Sequence, residues 1–80
     1  MHVLHDVERA AQRKGWSLLL VRHTPAAVAT APGAITLCKV RMGEWATHYF
    51  NKEDGGFYHG HYHGNEADAT EEWFDRSRRT

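Results

Sequence analysis

Residues 44–64, EWATHYFNKEDGGFYHGHYHG, decide the fold, because two aromatic runs flank the turn sequence NKEDGG. An Asp-Gly pair between two such runs is a strong signal for a β-hairpin. A two-residue turn places His48 opposite His61, whereas a four-residue loop over 52–55 places His48 opposite His59. The sequence leaves both registers open.

Either register gives the hairpin the same two sides, because side chains alternate along a strand. The predicted tyrosine side carries Trp45, Thr47, Tyr49, Tyr58, Gly60 and Tyr62. The predicted histidine side carries Ala46, His48, Phe50, Phe57, His59, His61 and His63. We expect the tyrosine side to receive a helix and the histidine side to face water.

Helices are predicted on both flanks of the strands. Apolar residues recur at helical spacing over 3–14 and over 66–78. Gly15 follows a basic last turn and is expected to end the first helix. Asn65 precedes an acidic first turn and is expected to cap the second helix.

Two more strands are predicted, over 16–23 and 34–42, with a proline-containing loop over 24–33 between them. The apolar run LLLV in the first of these strands favours an interior position in the sheet. The order is α-β-β-β-β-α in a single domain spanning residues 1–80. The predicted fold is α+β: one antiparallel four-stranded sheet with the N- and C-terminal helices packed on one face.

The predicted core combines large apolar side chains of the strands with two of the second helix. Its members are Trp16, Leu18, Leu20, Val40, Trp45, Tyr49, Tyr58, Tyr62, Trp73 and Phe74.

Charge and composition narrow the classes of function. Ten basic and ten acidic residues give a formal net charge of zero, which argues against a dedicated binder of nucleic acid or of a membrane surface. The N-terminus has no pattern of a signal peptide, and no apolar run is long enough to span a membrane. We therefore expect a cytoplasmic protein without membrane partners.

The alternating histidines of residues 59–63 suggest a metal site. A His-x-His pair on a strand points two imidazoles to one side, about 6.5 Å apart at Cα. His59 and His61, with His48 from the neighbouring strand, could bind zinc or nickel with one position open. The alternative is that these histidines, with His63, form an ordinary exposed strand face that holds no metal or other cofactor.

A binding surface for a protein is the preferred function of the same face. It consists of Phe50, Phe57, His48, His59, His61 and His63. Exposed aromatic side chains contribute much of the energy of protein–protein contacts. A second copy of the chain is one candidate partner. The alternative is that the first helix or the 24–33 loop covers this side and makes it part of the core.

Nucleic-acid binding and catalysis are weaker hypotheses. Single-stranded nucleic acid could stack on the aromatic side chains beside Lys39, Arg41 and Lys52, although the neutral charge argues against it. Cys38 is expected to be a buried structural thiol, and no nucleophile motif or phosphate-binding loop is present. The sequence therefore predicts a protein that is not an enzyme.

Residues 44–76, EWATHYFNKEDGGFYHGHYHGNEADATEEWFDR, resemble small orphan proteins encoded by bacteriophages and prophages. The shared features are an aromatic hairpin, a Gly-Gly-aromatic turn, a His-Tyr pair and a short acidic helix. The resemblance extends over about residues 44–79. It implies a compact binding protein that redirects or blocks host machinery, as anti-CRISPR and other anti-defence or regulatory inhibitors do.

Overall fold

The computed structural model describes residues 3–24 and 33–78, and it confirms the predicted α-β-β-β-β-α order. The elements are α1 (Val3–Arg13), β1 (Ser17–Thr24), β2 (Gly33–Arg41), β3 (Glu44–Asn51), β4 (Gly56–His63) and α2 (Glu66–Arg78). The loop predicted over 24–33 lies largely outside the described residues.

Local signals at the helix ends act as predicted. Gly15 has a φ of 78°, which a residue without Cβ adopts at low cost, and its amide donates to the Gln12 carbonyl oxygen at 3.0 Å. The Asn65 side-chain oxygen accepts a hydrogen bond from the amide of Asp68 at 3.1 Å. These two contacts satisfy backbone groups that the helices leave open at their ends.

The four strands form one antiparallel sheet in the order β1-β2-β3-β4. β1 is therefore an edge strand and not an interior one. Its apolar run does not lie in a regular ladder, because the register shifts between Leu18 and Leu20 and leaves Leu19 42% exposed. A β-bulge at an edge is a common feature of sheets.

The β3–β4 hairpin has the four-residue loop. Asn51 pairs with Gly56, Phe50 with Phe57 and Tyr49 with Tyr58. Within the turn, the amide of Gly55 donates to the Asn51 carbonyl oxygen at 2.8 Å.

A bulge then interrupts the hairpin. His59 and Gly60 together lie opposite His48, and the ladder resumes with His61 opposite Thr47. His59 has a φ of 56°, so the extra residue adopts the left-handed conformation that such bulges use. Because one extra residue reverses the alternation, the side chains of β4 change face at this point.

The two helices pack on opposite faces of the sheet, which corrects the expectation that they share one face. Adjacent residues of β2 show this directly. Ala34 packs with Val7 of α1, whereas Ile35 packs with Trp73 of α2. β2 is buried on both faces, so each face needs its own cover. We call the two sides the α1 face and the α2 face.

The core is built from smaller side chains than predicted. Trp73 is buried, and Leu18, Leu20, Trp45 and Tyr49 pack against the core as predicted. Phe74, Tyr58 and Tyr62 are 52%, 43% and 54% exposed, and Trp16 and Val40 are half-buried. The buried apolar set is Val7, Ala10, Ala11, Ala34, Ile35, Leu37, Cys38, Ala46, Phe50, Ala69 and Trp73.

Cys38 is buried as expected, and burial raises the pKa of its thiol to about 12. A thiol with such a pKa is a poor nucleophile at neutral pH. Among the described residues, no helix combines the length and apolar character needed to cross a membrane.

Candidate functional site

The predicted binding surface is partly core. His48 is 4% exposed and Phe50 is 1% exposed, so neither offers a contact surface to a partner. Phe57 is half-buried and packs against the cluster formed by Phe50 and Val7. Val7 and Ala10 of α1 pack with Phe50, and the rings of Trp16, Phe57 and Tyr62 enclose His48. The core alternative for this side is thus the correct one for these three residues.

The histidines of the predicted metal site do not share a face. His48 points to the α1 face, where its neighbours on β3 are Ala46 and Phe50. His61 and His63 lie beyond the bulge and reach Glu72 on the α2 face. His59 occupies the bulge itself and is exposed.

The bulge places the histidines on different faces of the sheet, and the alternating pattern of the sequence does not predict this bulge. Over residues 3–24 and 33–78, no three His, Cys, Asp or Glu side chains are arranged to hold a metal ion.

His48 lies in an aromatic enclosure on the α1 face. Its ring stacks on Trp16 with 5.2 Å between ring centroids and meets the edges of Phe57 and Tyr62 at 5.5 Å each. The Tyr62 hydroxyl lies 3.3 Å from Nε2, while Nδ1 has no hydrogen-bond partner among the described residues. Burial, followed by the charges of Arg76 and Lys14, lowers the pKa of His48 to about 4.

A polar cluster on the α2 face joins β4 to α2. The Glu72 carboxylate hydrogen-bonds to the rings of His61 and His63, the latter at 2.7 Å. The Thr47 hydroxyl donates to the same carboxylate at 2.9 Å. Burial opposes ionisation of Glu72, but these three hydrogen bonds outweigh it and lower its pKa to about 2. Glu72 is therefore an anion that docks α2 onto the sheet.

Arg76 extends this cluster to the bulge. Its guanidinium donates to the Thr47 hydroxyl at 2.9 Å and to the His59 carbonyl oxygen at 3.0 Å. The second contact satisfies a carbonyl group that the bulge removes from the regular ladder. Glu72 and Arg76, one turn apart on α2, thus fix the position at which the side chains of β4 change face.

An open groove of about 520 Å³ runs beside this cluster along α2. It is lined by His63, Asp68, Glu71, Glu72, Asp75 and Arg78. We call it the acidic groove. Asp75 forms an ion pair with Arg78 at 3.3 Å, and Glu72 is hydrogen-bonded to His61 and His63. The carboxylates of Asp68 and Glu71 make no ion pair with the described residues, so the groove has a net negative charge.

The groove was missed at the level of sequence, although a signal for it exists. Asp68, Glu71 and Asp75 recur at helical spacing and so lie on one side of α2. Only the position of β4 relative to α2 shows that this side adjoins His63. Half of the ten acidic residues lie on α2, so the neutral total conceals a local excess of negative charge.

No family model matches the sequence, and comparison with curated proteins and with solved structures gives no significant match.

Proposed function

We propose that the protein is a non-catalytic binding module whose partner is another protein. It uses β4 and the acidic groove as its contact surface, in place of the Phe50 and His48 surface, which is buried. The observation that carries this proposal is the exposure of β4. Residues 58–62 are exposed along an edge strand, and His63 at the end of that strand lines the groove.

The surface has the chemical character of a protein contact. Tyr58 and Tyr62 are large and substantially exposed, and each side chain combines an apolar ring with a hydroxyl group. The groove adds negative charge at the His63 end of β4, which favours one class of partner over another. Carboxylates at Asp68 and Glu71 repel phosphate groups, so nucleic acid does not fit this surface.

The biological role that we propose follows the resemblance to phage-encoded and prophage-encoded proteins. In that role the partner is a component of the host machinery, which the protein blocks or redirects. Its small size suits the role, because a stable protein–protein contact needs only about 800 Å² from each partner and the whole chain exposes 5036 Å².

Site-specific photocrosslinking tests the proposal. Glu71, in the groove, and Glu8, an exposed residue of α1, are each replaced by p-benzoylphenylalanine in cells that naturally express the protein. We expect a defined protein to crosslink at position 71 and not at position 8. Crosslinking to the same proteins at both positions, or to none at position 71, contradicts the proposal.

A further inference from the structure

In the part of the chain that the structure describes, the outer edge of β4 is unpaired. β4 is the last strand of the sheet, and among the described residues only β3 pairs with it. An edge strand presents unpaired amide and carbonyl groups that another extended chain can bind. Natural sheets commonly protect such edges with lysine or proline, and β4, GFYHGHYH, contains neither.

The bulge restricts where a chain can be added. His59 and Gly60 interrupt the ladder, and the His59 carbonyl oxygen already accepts a hydrogen bond from Arg76. The regular segment beyond the bulge is His61–His63, which is also the segment that adjoins the acidic groove through His63. An added strand therefore lies against this segment and beside the groove.

Charge selects the added strand. Alternate residues of a strand point to the same face at a spacing of about 6.6 Å. On the α2 face such residues lie beside Asp68 and Glu71, whose Cα atoms are about 4.5 Å apart along the helix axis. The two carboxylates make no ion pair with other described residues. Lysine or arginine at alternate positions of the incoming strand complements them.

A second copy of this chain does not meet these requirements. β4 contains no lysine or arginine, so pairing β4 with itself supplies no cation to the groove. Antiparallel pairing of β4 with β4 in a continuous sheet also puts both α2 helices on the same face. The acidic grooves then face each other, and like charges at close range oppose association.

We propose that the outer edge of His61–His63, together with the acidic groove, binds a basic extended segment of a partner protein by β-strand addition. This inference rests on the proposed function and specifies its partner: a chain with lysine or arginine at alternate positions. Main-chain hydrogen bonds hold the added strand, and the groove selects its charge.

Three peptides of nine residues test the inference with the full-length protein. The first alternates valine and lysine, the second alternates valine and glutamate, and the third is the lysine peptide with proline at its centre. Amide chemical shifts of the protein report binding. We expect the lysine peptide to shift the amides of His61, Tyr62 and His63, and its affinity to fall with added salt. The other two peptides are expected to bind at least about tenfold more weakly.

Two sets of substitutions complete the test. The double variant Asp68→Asn with Glu71→Gln is expected to weaken binding of the lysine peptide about fivefold, because it removes two exposed charge pairs. The matched double variant Glu8→Gln with Glu53→Gln changes exposed carboxylates elsewhere and is expected to leave affinity unchanged.

Several results overturn the inference. Equal binding of the proline peptide means electrostatic attraction without strand addition, and an unchanged affinity in the groove variant removes the role of the carboxylates. Self-association of the protein in sedimentation experiments, lost when His61–His63 is changed, assigns the edge to a second copy.

The photocrosslinking experiment distinguishes a failure of the strand-addition inference from a failure of the proposed function. A partner that crosslinks at position 71 while the lysine peptide does not bind leaves the proposed function standing and refutes strand addition. Peptide binding at β4 without any crosslinked partner refutes the proposed function.

Discussion

Gly60 lies directly against the ring of His48: a Cβ added at Gly60 would be 2.4 Å from His48 Nε2 and 2.7 Å from Cδ2. The bulge brings Gly60 to this position, opposite His48. The His48 ring is held in turn by its stacking on Trp16. The bulge and the buried imidazole are therefore one structural unit, and the predictions that follow test its parts.

Gly60→Ala is expected to destabilise the protein by about 1–3 kcal/mol, because the new methyl group overlaps the His48 ring, which three other rings enclose. Urea unfolding measures the change. Gly64→Ala is the matched control, since the nearest atom to a Cβ there is 3.9 Å away. A Gly60→Ala protein as stable as the control contradicts the close packing of His48.

His59 adopts a φ of 56°, in the left-handed region. We expect His59→Gly to retain or raise stability, because glycine adopts this conformation without a steric penalty. We expect His59→Val to lower stability by about 1–2 kcal/mol, because a β-branched residue is strained there. Thermal unfolding of the two variants, compared with the wild-type protein, measures the difference. Equal effects of glycine and valine are inconsistent with the bulge conformation.

The buried His48 makes stability depend on pH. Its pKa of about 4 in the folded state lies below the ordinary value of 6.5, so the unfolded chain binds more protons between these values. The contribution is complete above pH 6.5 and is lost as the pH falls toward 4. We expect the free energy of unfolding to be about 2 kcal/mol lower at pH 5 than at pH 7.

The non-titrating variant His48→Gln is the control for this effect. Whatever its absolute stability, it should lose most of the difference between pH 5 and pH 7 in denaturant titrations. A pH dependence that is unchanged in this variant assigns the effect to another group.

Glu72 docks α2 through three hydrogen bonds. Glu72→Gln is expected to cost about 1–3 kcal/mol, because it removes charge-assisted bonds in a partly buried cluster. Glu71→Gln is the matched control at the neighbouring, exposed position. Equilibrium unfolding in urea distinguishes the two, and equal losses contradict the docking role.

Glu72 is also expected to affect how the stability of the protein depends on pH in the acidic range. Its pKa in the folded state is lowered from 4.5 to about 2, so its contribution is present above pH 4.5 and lost as the pH falls toward 2. We expect the Glu72→Gln variant to lose less stability than the wild-type protein over this range.

The sequence predicted the local features that depend on a few neighbouring residues, such as helix ends and turns. Gly15 ends α1, Asn65 caps α2, and the Asp-Gly pair lies in the β3–β4 turn. Each of these depends on backbone groups within four residues of the signal. The acidic residues of the candidate site also recur at helical spacing in α2, but the groove that they line was not predicted.

The sequence did not predict which side chains lie on each face of the sheet, because that depends on contacts between residues far apart in the chain. One extra residue at His59 and Gly60 reverses the alternation of β4, so His61 joins the α2 face while Phe57 stays on the α1 face. The contacts that hold this bulge come from Arg76, 17 positions away.

The sequence by itself determined the order of the elements, their approximate bounds and the turn between β3 and β4. Only the tertiary structure decided that α1 and α2 cover opposite faces, that His48 and Phe50 are buried, and that β4 lies open beside an acidic groove. The physical reason is that elements form from local backbone preferences, whereas a face is buried or exposed according to which distant apolar surfaces meet.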